Sequence, residues 1–251
     1  MARCALPVLG ALGCAPQDVD SDAIGTQGMF ADMLALAPGD GTTLVRVRLA
    51  AGGENGTHVT LVGEDRLQAS FAAVTETLVR SGRGSYEQQM AADSAGDVSV
   101  QLLRGPEDAS AGGRAWLPEP FVAALETDVS AGVGRDAAVD VSWSPAVPGA
   151  ALRWTLEGPC LWTESGSTAD DGSFRLEPER FRVRGARSGE ECDVELRLDR
   201  EGTGSVDSVW IPGSRFRAIQ RRAVRFVSVP ARADGVGDRE LGVPAPPADA
   251  G

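Results

Sequence analysis

Alternation of apolar and polar residues with period two is the feature that most constrains this chain. In residues 192–198 the side chains of Val194, Leu196 and Leu198 alternate with Asp193, Glu195 and Arg197. Successive side chains of a β-strand point to opposite faces, so this pattern predicts a half-buried strand. The same alternation predicts strands at residues 43–49, 97–104, 139–143, 152–156, 174–176 and 181–184.

Turn-forming residues separate these runs. The chain contains 31 Gly and 15 Pro among 251 residues, too many for a mainly helical bundle. Short, half-buried strands divided by such turns are typical of antiparallel β-sandwiches. No long segment has a helical period, and we therefore predict an all-β protein. Residues 29–36 could form a short helix or an edge strand beneath the first domain.

A Pro-Glu-Pro sequence at residues 118–120 divides the chain. We predict two immunoglobulin-like β-sandwich domains in tandem, at residues 29–118 and 119–230, each near the usual size of about 100 residues. One larger continuous sandwich is the alternative. The acidic segment 14–28 is interpreted as a flexible tether and the Pro-rich residues 231–251 as a disordered tail.

The first 13 residues have the pattern of an export signal. Arg3 precedes a short apolar stretch, which ends in the sequence Ala11-Leu12-Gly13-Cys14. Such a stretch is too short to span a bilayer, which takes about 20 apolar residues, but it matches the core of a secretory signal. The last four residues resemble the lipobox of bacterial lipoproteins. The resemblance implies cleavage before Cys14 and attachment of fatty acyl chains such as palmitate to that residue. The alternative is a soluble protein in which Cys14 is an ordinary thiol.

The wider chain also resembles secreted lipoproteins of high-GC Gram-negative bacteria. The likeness rests on the lipobox, the β-rich modules, the strand at residues 192–198 and a final basic-aromatic strand at 222–230. It implies a location in the cell envelope, with the lipid anchor as the contact to the membrane. Ala15, which follows Cys14 where inner-membrane lipoproteins have Asp, resembles the signal for outer-membrane sorting.

Removal of the signal and acylation of Cys14 would leave two cysteines, Cys160 and Cys192. Both are in phase with core residues of the second domain, and an even number in an exported chain indicates one disulfide. Two buried free thiols are the alternative. A metal site at this pair is not expected, because two cysteines without nearby histidine supply too few ligands.

Several catalytic chemistries are excluded by composition. All 24 basic residues are Arg and the only histidine is His58, so a Schiff-base lysine, a P-loop lysine and a multi-histidine metal site are impossible. His58 is expected at the start of a strand, and the Gly-x-Gly-x-x-Ala sequence at 132–137 is expected to be a loop because no helix follows it. The net charge of −12 disfavours binding to nucleic acid. We predict a protein without catalysis or cofactor.

Carboxylates and tryptophans supply the remaining candidate site residues. Adjacent carboxylates occur in predicted turns, and Asp170 with Asp171 is the best candidate for calcium. Of the five tryptophans, which could together line a sugar platform, Trp210 is the least clearly buried and is a candidate ligand contact. Three tryptophans are in phase with core residues: Trp143, Trp154 and Trp162.

Together these patterns predict a lipid-anchored envelope protein of non-catalytic binding or structural type, which engages a protein or an envelope polymer. A carbohydrate-binding or calcium-dependent adhesion module is the alternative, and a carboxylate-based β-sandwich hydrolase is a third possibility. Residues 173–232 contain 13 Arg and 9 acidic residues, which marks the second domain as mildly basic.

Overall fold

A computed structural model describes residues 18–105, 110–187 and 189–231. Their regular secondary structure is almost entirely β-strand, which confirms the predicted all-β class. The predicted signal, the lipidation site Cys14 and the tail from residue 232 lie outside the described residues. In the part that is described, no helix has the length and hydropathy to cross a membrane.

The described residues form nineteen strands. The first ten are β1 (Val19–Asp20), β2 (Met29–Ala37), β3 (Thr43–Ala51), β4 (Thr57–Thr60), β5 (Arg66–Phe71), β6 (Val74–Thr77), β7 (Val79–Gly82), β8 (Ser85–Met90), β9 (Gly96–Leu103) and β10 (Ala111–Leu117). The others are β11 (Val122–Leu125), β12 (Val133–Gly134), β13 (Val139–Ser144), β14 (Ala151–Glu157), β15 (Glu164–Ala169), β16 (Ser173–Leu176), β17 (Cys192–Gly202), β18 (Gly204–Val206) and β19 (Arg215–Val229). Four short 3-10 helices span Ser21–Ala23, Thr26–Gly28, Pro178–Arg180 and Gly185–Arg187.

The chain forms two compact units that differ from the linear division at residue 118. Unit 1 contains the described residues up to Pro120 together with Arg200–Arg221, whereas unit 2 contains Phe121–Asp199 and the residues from Arg222 onward. The first break lies close to the predicted one. The later segment could not be assigned from sequence, because its strands pair with residues more than 80 positions earlier in the chain.

Unit 1 packs two sheets around one hydrophobic core. In the first, β1, β4, β3, β2 and the early part of β19 lie side by side, with β8 and then β7 extending from β3. The second has the order β18-β10-β9-β5-β6. Val45 and Val47 from one sheet, and Val98 and Val100 from the other, are fully buried in the shared core.

Unit 2 also contains two sheets. The later part of β19, β17, β14 and β15 form one, with β12 paired to β19, and β11, β13 and β16 form the other. Their inner faces bury Val141, Trp143, Trp154, Leu156 and Leu196, among others, in a second core. The predicted inward residues of β13, β14 and β17 are therefore confirmed.

The prediction for residues 29–36 was wrong in one respect. The segment is a strand, β2, but it lies between β3 and β19 rather than at an edge. Its pairing with β19 is parallel, with Asp32 opposite Arg215 and Ala37 opposite Gln220. The sequence of β2 is a nearly continuous apolar run, but its burial alternates: Met33 and Ala35 are buried, whereas Leu34 and Leu36 are partly exposed.

The tether prediction was also wrong for residues 18–28. Val19 and Asp20 pair with β4, and Ser21 and Thr26 are fully buried. The guanidinium of Arg104 satisfies this polar segment by donating to the backbone oxygens of Ser21 and Ile24 and to Thr26 Oγ1. The acidic composition of this segment predicted mobility. Arg104, which is buried at the end of β9, instead supplies hydrogen bonds that order it.

Two further expectations need correction. The alternating run 181–184 is not a strand, because a 3-10 helix at Pro178–Arg180 precedes it and only Val183 forms an isolated bridge, with Leu161. Unit 2 is not basic either: its described residues contain 10 Arg and 15 Asp or Glu, because residues 121–172 supply eight acidic residues and only two arginines, and four of the arginines in 173–232 belong to unit 1.

Candidate functional site

The outward face of the five-stranded sheet in unit 1 is the strongest candidate surface. Strands β9 and β10 pair so that Asp97 lies opposite Trp116 and Ser99 lies opposite Arg114. The alternating positions Val98, Val100, Leu102, Ala115 and Leu117 face the core and are buried. The sheet is therefore strictly two-sided, with an apolar inner face and a polar outer face.

Short polar side chains cover most of this outer face. The cross-strand pairs Gln68–Gln101 and Ser70–Ser99 continue from β9 into β5, and Ser70 Oγ lies 2.7 Å from Thr75 Oγ1 on the edge strand β6. On the other side Ser205 of β18 lies opposite Arg114. The result is a row of hydroxyl and amide groups across neighbouring strands, broken by one large aromatic ring.

That ring belongs to Trp116, and half of its surface is exposed (50%). It borders a shallow depression of about 310 Å³, whose lining consists of Asp97, Arg114, Ala115, Trp116, Thr203, Gly204 and Ser205. The backbone N–H of Trp116 donates to Thr203 O at 3.0 Å, which anchors the strand beneath the ring. An indole beside a carboxylate, a guanidinium and hydroxyls offers one flat apolar surface surrounded by hydrogen-bonding groups.

Gly204 of the neighbouring strand β18 lies opposite the inward-facing Ala115, and a Cβ at that position would come within 2.1 Å of Phe216 O and 2.9 Å of Ala115 Cβ. Glycine at this position therefore allows close packing on the inner side of β18. The alternation in β10 places Trp116 in phase with Arg114, which was the sequence signal that could have identified it. The sequence alone marks Trp116 only as one of five tryptophans that could line a sugar platform.

Trp210, the tryptophan predicted to contact ligand, is buried instead. Only 3% of its surface is exposed, and its Nε1–H donates to Gly112 O at 2.9 Å. A turn, in which Trp210 N donates to Asp207 O, folds the side chain back into the core of unit 1. The prediction of a ligand contact at Trp210 was therefore wrong.

The tryptophans of unit 2 follow the predicted phase in two cases of three. Trp143 and Trp154 are buried, but Trp162 is 55% exposed. Alternation stops before it, because Cys160 and the adjacent Leu161 are both fully buried. The guanidinium of Arg184 lies 5.2 Å from the centre of the Trp162 ring and covers part of it.

The two aspartates proposed for calcium lie in different environments. Asp170 is 1% exposed, and its Oδ1 accepts a hydrogen bond of 2.7 Å from Trp143 Nε1. Asp171 is exposed and accepts a 3.3 Å bond from Ser173 N. Within the described ranges no group of three His, Cys, Asp or Glu could hold a metal ion. His58 lies in β4, at the strand start that was predicted.

The predicted disulfide is present. Cys160 and Cys192 are bonded across 32 positions of sequence, with their Cα atoms 6.0 Å apart. Cys160 is fully buried in the core of unit 2. The bond ties the turn after β14 to the first residue of β17.

Comparison with known proteins gives little further information. No protein-family model matches the chain, and no curated protein matches it. Three solved structures show weak similarity. A 1.5-MDa bacterial ice-binding adhesin, studied for host cell surface retention, is 8% identical over 81% of this chain and 65% of its own, with a TM-score of 0.24.

The other two structures are similarly distant. A tetra-tandem repeat from the extending region of a large adhesion protein is 13% identical over 79% of this chain and 50% of its own, with a TM-score of 0.23. The native conformation of E. coli alpha-2-macroglobulin is 14% identical over 78% of this chain and 14% of its own, with a TM-score of 0.22. The chain spans less than two thirds of each of the three, and no conclusion about function follows from these values.

Proposed function

We propose that this chain is a non-catalytic binding protein of the bacterial cell envelope and that it binds a polysaccharide on the Trp116 face. The observation that carries the proposal is the half-exposed ring of Trp116 between Asp97 and Arg114. A sugar ring has an apolar C–H face and a rim of hydroxyls. The indole can pack against the C–H face, and the carboxylate and guanidinium can form hydrogen bonds with the hydroxyls.

The composition of the face favours a polysaccharide over a protein partner. Protein interfaces place several aromatic or aliphatic anchors together at their centre. Here Trp116 is the one aromatic residue of the lining, beside Asp97, Arg114 and the hydroxyls of Thr203 and Ser205. Hydroxyl groups on short side chains suit a regular row of sugar hydroxyls, and short side chains lose less entropy on binding than long ones.

The proposal treats the face as a binding site and not as a catalytic one. Hydrolysis of a glycosidic bond ordinarily uses two carboxyl groups about 5–10 Å apart. Among the residues that line the depression, Asp97 is the one carboxylate. A single carboxylate beside an indole can orient a sugar by accepting hydrogen bonds from its hydroxyls.

The location in the envelope is supported by the disulfide of unit 2. Disulfides persist in oxidising compartments and are rare in the bacterial cytosol, so the Cys160–Cys192 bond favours export. We further propose that Cys14 carries the lipid anchor. More than one acyl chain on a residue suffices for stable attachment to a membrane.

The binding face is tested with a panel of neutral polysaccharides and isolated peptidoglycan sacculi. Affinity electrophoresis and co-sedimentation should show retention of the wild-type chain by at least one polymer. Trp116→Ala should weaken that retention by at least about tenfold, as expected for removal of an aromatic anchor. Trp162→Ala is the matched control, because its ring is exposed to a similar extent in unit 2. Equal retention of wild type and Trp116→Ala would overturn the assignment, as would no retention of the wild type by any member of the panel.

The anchor is tested separately. Wild-type protein expressed in a Gram-negative host should partition with the membrane fraction, and its intact mass should include acyl chains. Cys14→Ser should be found in the soluble fraction. A Cys14→Ser variant that still partitions with membranes refutes the lipid anchor and leaves the Trp116 proposal unaffected.

A further inference from the structure

Unit 2 contains a second cleft, which is unrelated to the Trp116 face. It has a volume of about 280 Å³ and is lined by Trp154, Ser165, Gly166, Ser167, Phe174, Arg175, Glu177 and Arg180. Its walls are β15 and β16, each of which is the last strand of its sheet. The cleft therefore opens where no further strand closes the gap between the two sheets.

Aromatic rings form the base of this cleft. Trp154 and Phe174 are stacked, with ring centroids 5.5 Å apart and planes inclined by 27°. Gly166 lies directly opposite Trp154 on β15, and a Cβ there would come within 2.7 Å of the indole. Glycine thus lets the buried indole pack against the edge strand at the base of the cleft.

Arg180 brings a positive charge to the same place. Its guanidinium lies 5.8 Å from the centre of the Trp154 ring, and the residue is exposed. The neighbouring Arg175 binds both oxygens of Asp140 at 2.9 Å and also lies 3.5 Å from Glu177. Arg180 differs from it, because in the described part of the chain Arg180 has no carboxylate within ion-pair distance.

This arrangement is suited to one particular ligand chemistry. Contact with the indole orients the planar guanidinium, so less entropy is lost when it binds a carboxylate through two parallel hydrogen bonds. Phe174 and the hydroxyl-bearing edge strand adjoin that position. A ligand that fits must combine a carboxylate with a compact ring and hydroxyls, and a cleft of this volume accommodates about one monosaccharide.

We propose that this cleft binds a uronic acid residue of an acidic polysaccharide, with its carboxylate on Arg180. The site is separate from the Trp116 face, and the proposal stands whether or not that face binds neutral sugars. Arg175 of β16 contributes positive potential while it remains paired with Asp140.

The test uses the complete chain and oligosaccharides of galacturonate, glucuronate and mannuronate. Isothermal titration should detect binding of at least one of them, and the neutral galactose, glucose and mannose oligomers should bind at least about tenfold more weakly, since a charge-assisted pair is lost. Ligand addition should shift the indole N–H resonance of Trp154, which a Trp154→Phe variant assigns. Sugar phosphates are included to distinguish a phosphate ligand from a carboxylate.

Arg180→Gln should reduce uronate affinity about tenfold or more, whereas Arg180→Lys, which keeps the charge without the planar fork, should lose less. Arg225→Gln removes another exposed arginine of unit 2, paired with Glu195, and should bind as wild type does. Unchanged circular dichroism and melting temperature verify folding of each variant. The proposal is overturned if titration detects no uronate that binds with a dissociation constant of about 10 mM or less. It is also overturned if Arg180→Gln binds equally well, or if sugar phosphates bind and uronates do not.

Discussion

Arg104 and Asp65 form an ion pair that is almost completely withdrawn from water. The Nε of Arg104 lies 3.1 Å from Asp65 Oδ2, and the two side chains are 1% and 10% exposed. The same guanidinium also donates to Ile24 O at 2.9 Å. One side chain therefore joins the end of β9, a surface turn and the first described segment of unit 1.

Replacement of Arg104 should be strongly destabilising. In Arg104→Met the carboxylate of Asp65 and the backbone oxygens of residues 21 and 24 lose their buried donor, which should lower the free energy of unfolding by about 3–5 kcal/mol. Urea denaturation measures this change. The control is Arg46→Met, because Arg46 and Glu87 form an exposed pair that contributes about 1 kcal/mol or less. Similar losses in the two variants would contradict the structural role of Arg104.

The phenol of Tyr86 should titrate abnormally. Burial raises the pKa of Tyr86 above its usual value of 10, although the Leu61 N–H, which donates to its oxygen at 2.7 Å, partly offsets this effect. The unfolded chain therefore releases the proton first. The stability contributed by the neutral phenol is complete below about pH 10 and is lost as the pH rises toward the folded pKa.

Tyr86 is the only tyrosine in the chain, so absorbance at tyrosinate wavelengths reports its titration directly. The folded protein should ionise above pH 10, and the urea-unfolded protein near pH 10. Tyr86→Phe should remove the corresponding loss of stability in alkali. Coincident titration curves for the folded and unfolded protein would be inconsistent with a buried phenol.

The Cys160–Cys192 disulfide should stabilise unit 2. It closes a loop across 32 positions, and in the chain-entropy model such a cross-link contributes about 3–4 kcal/mol. In calorimetry, the unfolding transition of unit 2 should have a lower melting temperature in the Cys160→Ala, Cys192→Ala double variant than in the wild type. Reductant should lower the melting temperature of the wild type and leave that of the double variant unchanged. If neither the double substitution nor the reductant lowers the melting temperature, the disulfide does not make this contribution.

Asp170 and Asp171 should differ sharply on replacement, although they are adjacent in sequence. Asp170→Ala leaves the buried Nε1–H of Trp143 without its acceptor, which should cost about 1–3 kcal/mol. Asp171→Ala removes an exposed turn contact and should change stability by about 0.5 kcal/mol or less. Guanidinium unfolding followed by tryptophan fluorescence measures both. Equal effects would argue against the buried role of Asp170.

The strands themselves could be predicted from the sequence wherever one face is buried. In β3 the alternation of Val45, Val47 and Leu49 with Arg46 and Arg48 reports the two faces directly, because adjacent side chains of a strand always point in opposite directions. The disulfide was predicted from the even number of cysteines left in an exported chain and from the inward phase of Cys192, whereas the phase assumed for Cys160 came from Trp162, which is exposed. Outward residues such as Trp116 carried the same signal, but alternation alone does not distinguish a binding surface from an ordinary solvated one.

Contacts between segments that are distant in the sequence could not be predicted from alternation. The order of Ser21 and Thr26 depends on Arg104, about 80 residues later, and the burial of Trp210 depends on a carbonyl at Gly112. The indole of Trp154 packs at the base of the cleft because Gly166 of a neighbouring strand leaves space for it. None of these contacts changes the alternation of apolar and polar residues around either of the two residues in contact, so none could be recognised in the sequence.

The amino-acid sequence by itself therefore determined that this protein is built of half-buried strands and which residues of most strands face inward, and it made Cys160 and Cys192 the expected disulfide pair. Only the tertiary structure decided that residues 200–221 join unit 1, that Trp116 rather than Trp210 is exposed, and that Arg180 lies over an aromatic cleft. Alternation is a property of consecutive residues, whereas these outcomes depend on which strands become neighbours, and in a sheet those neighbours come from anywhere along the chain.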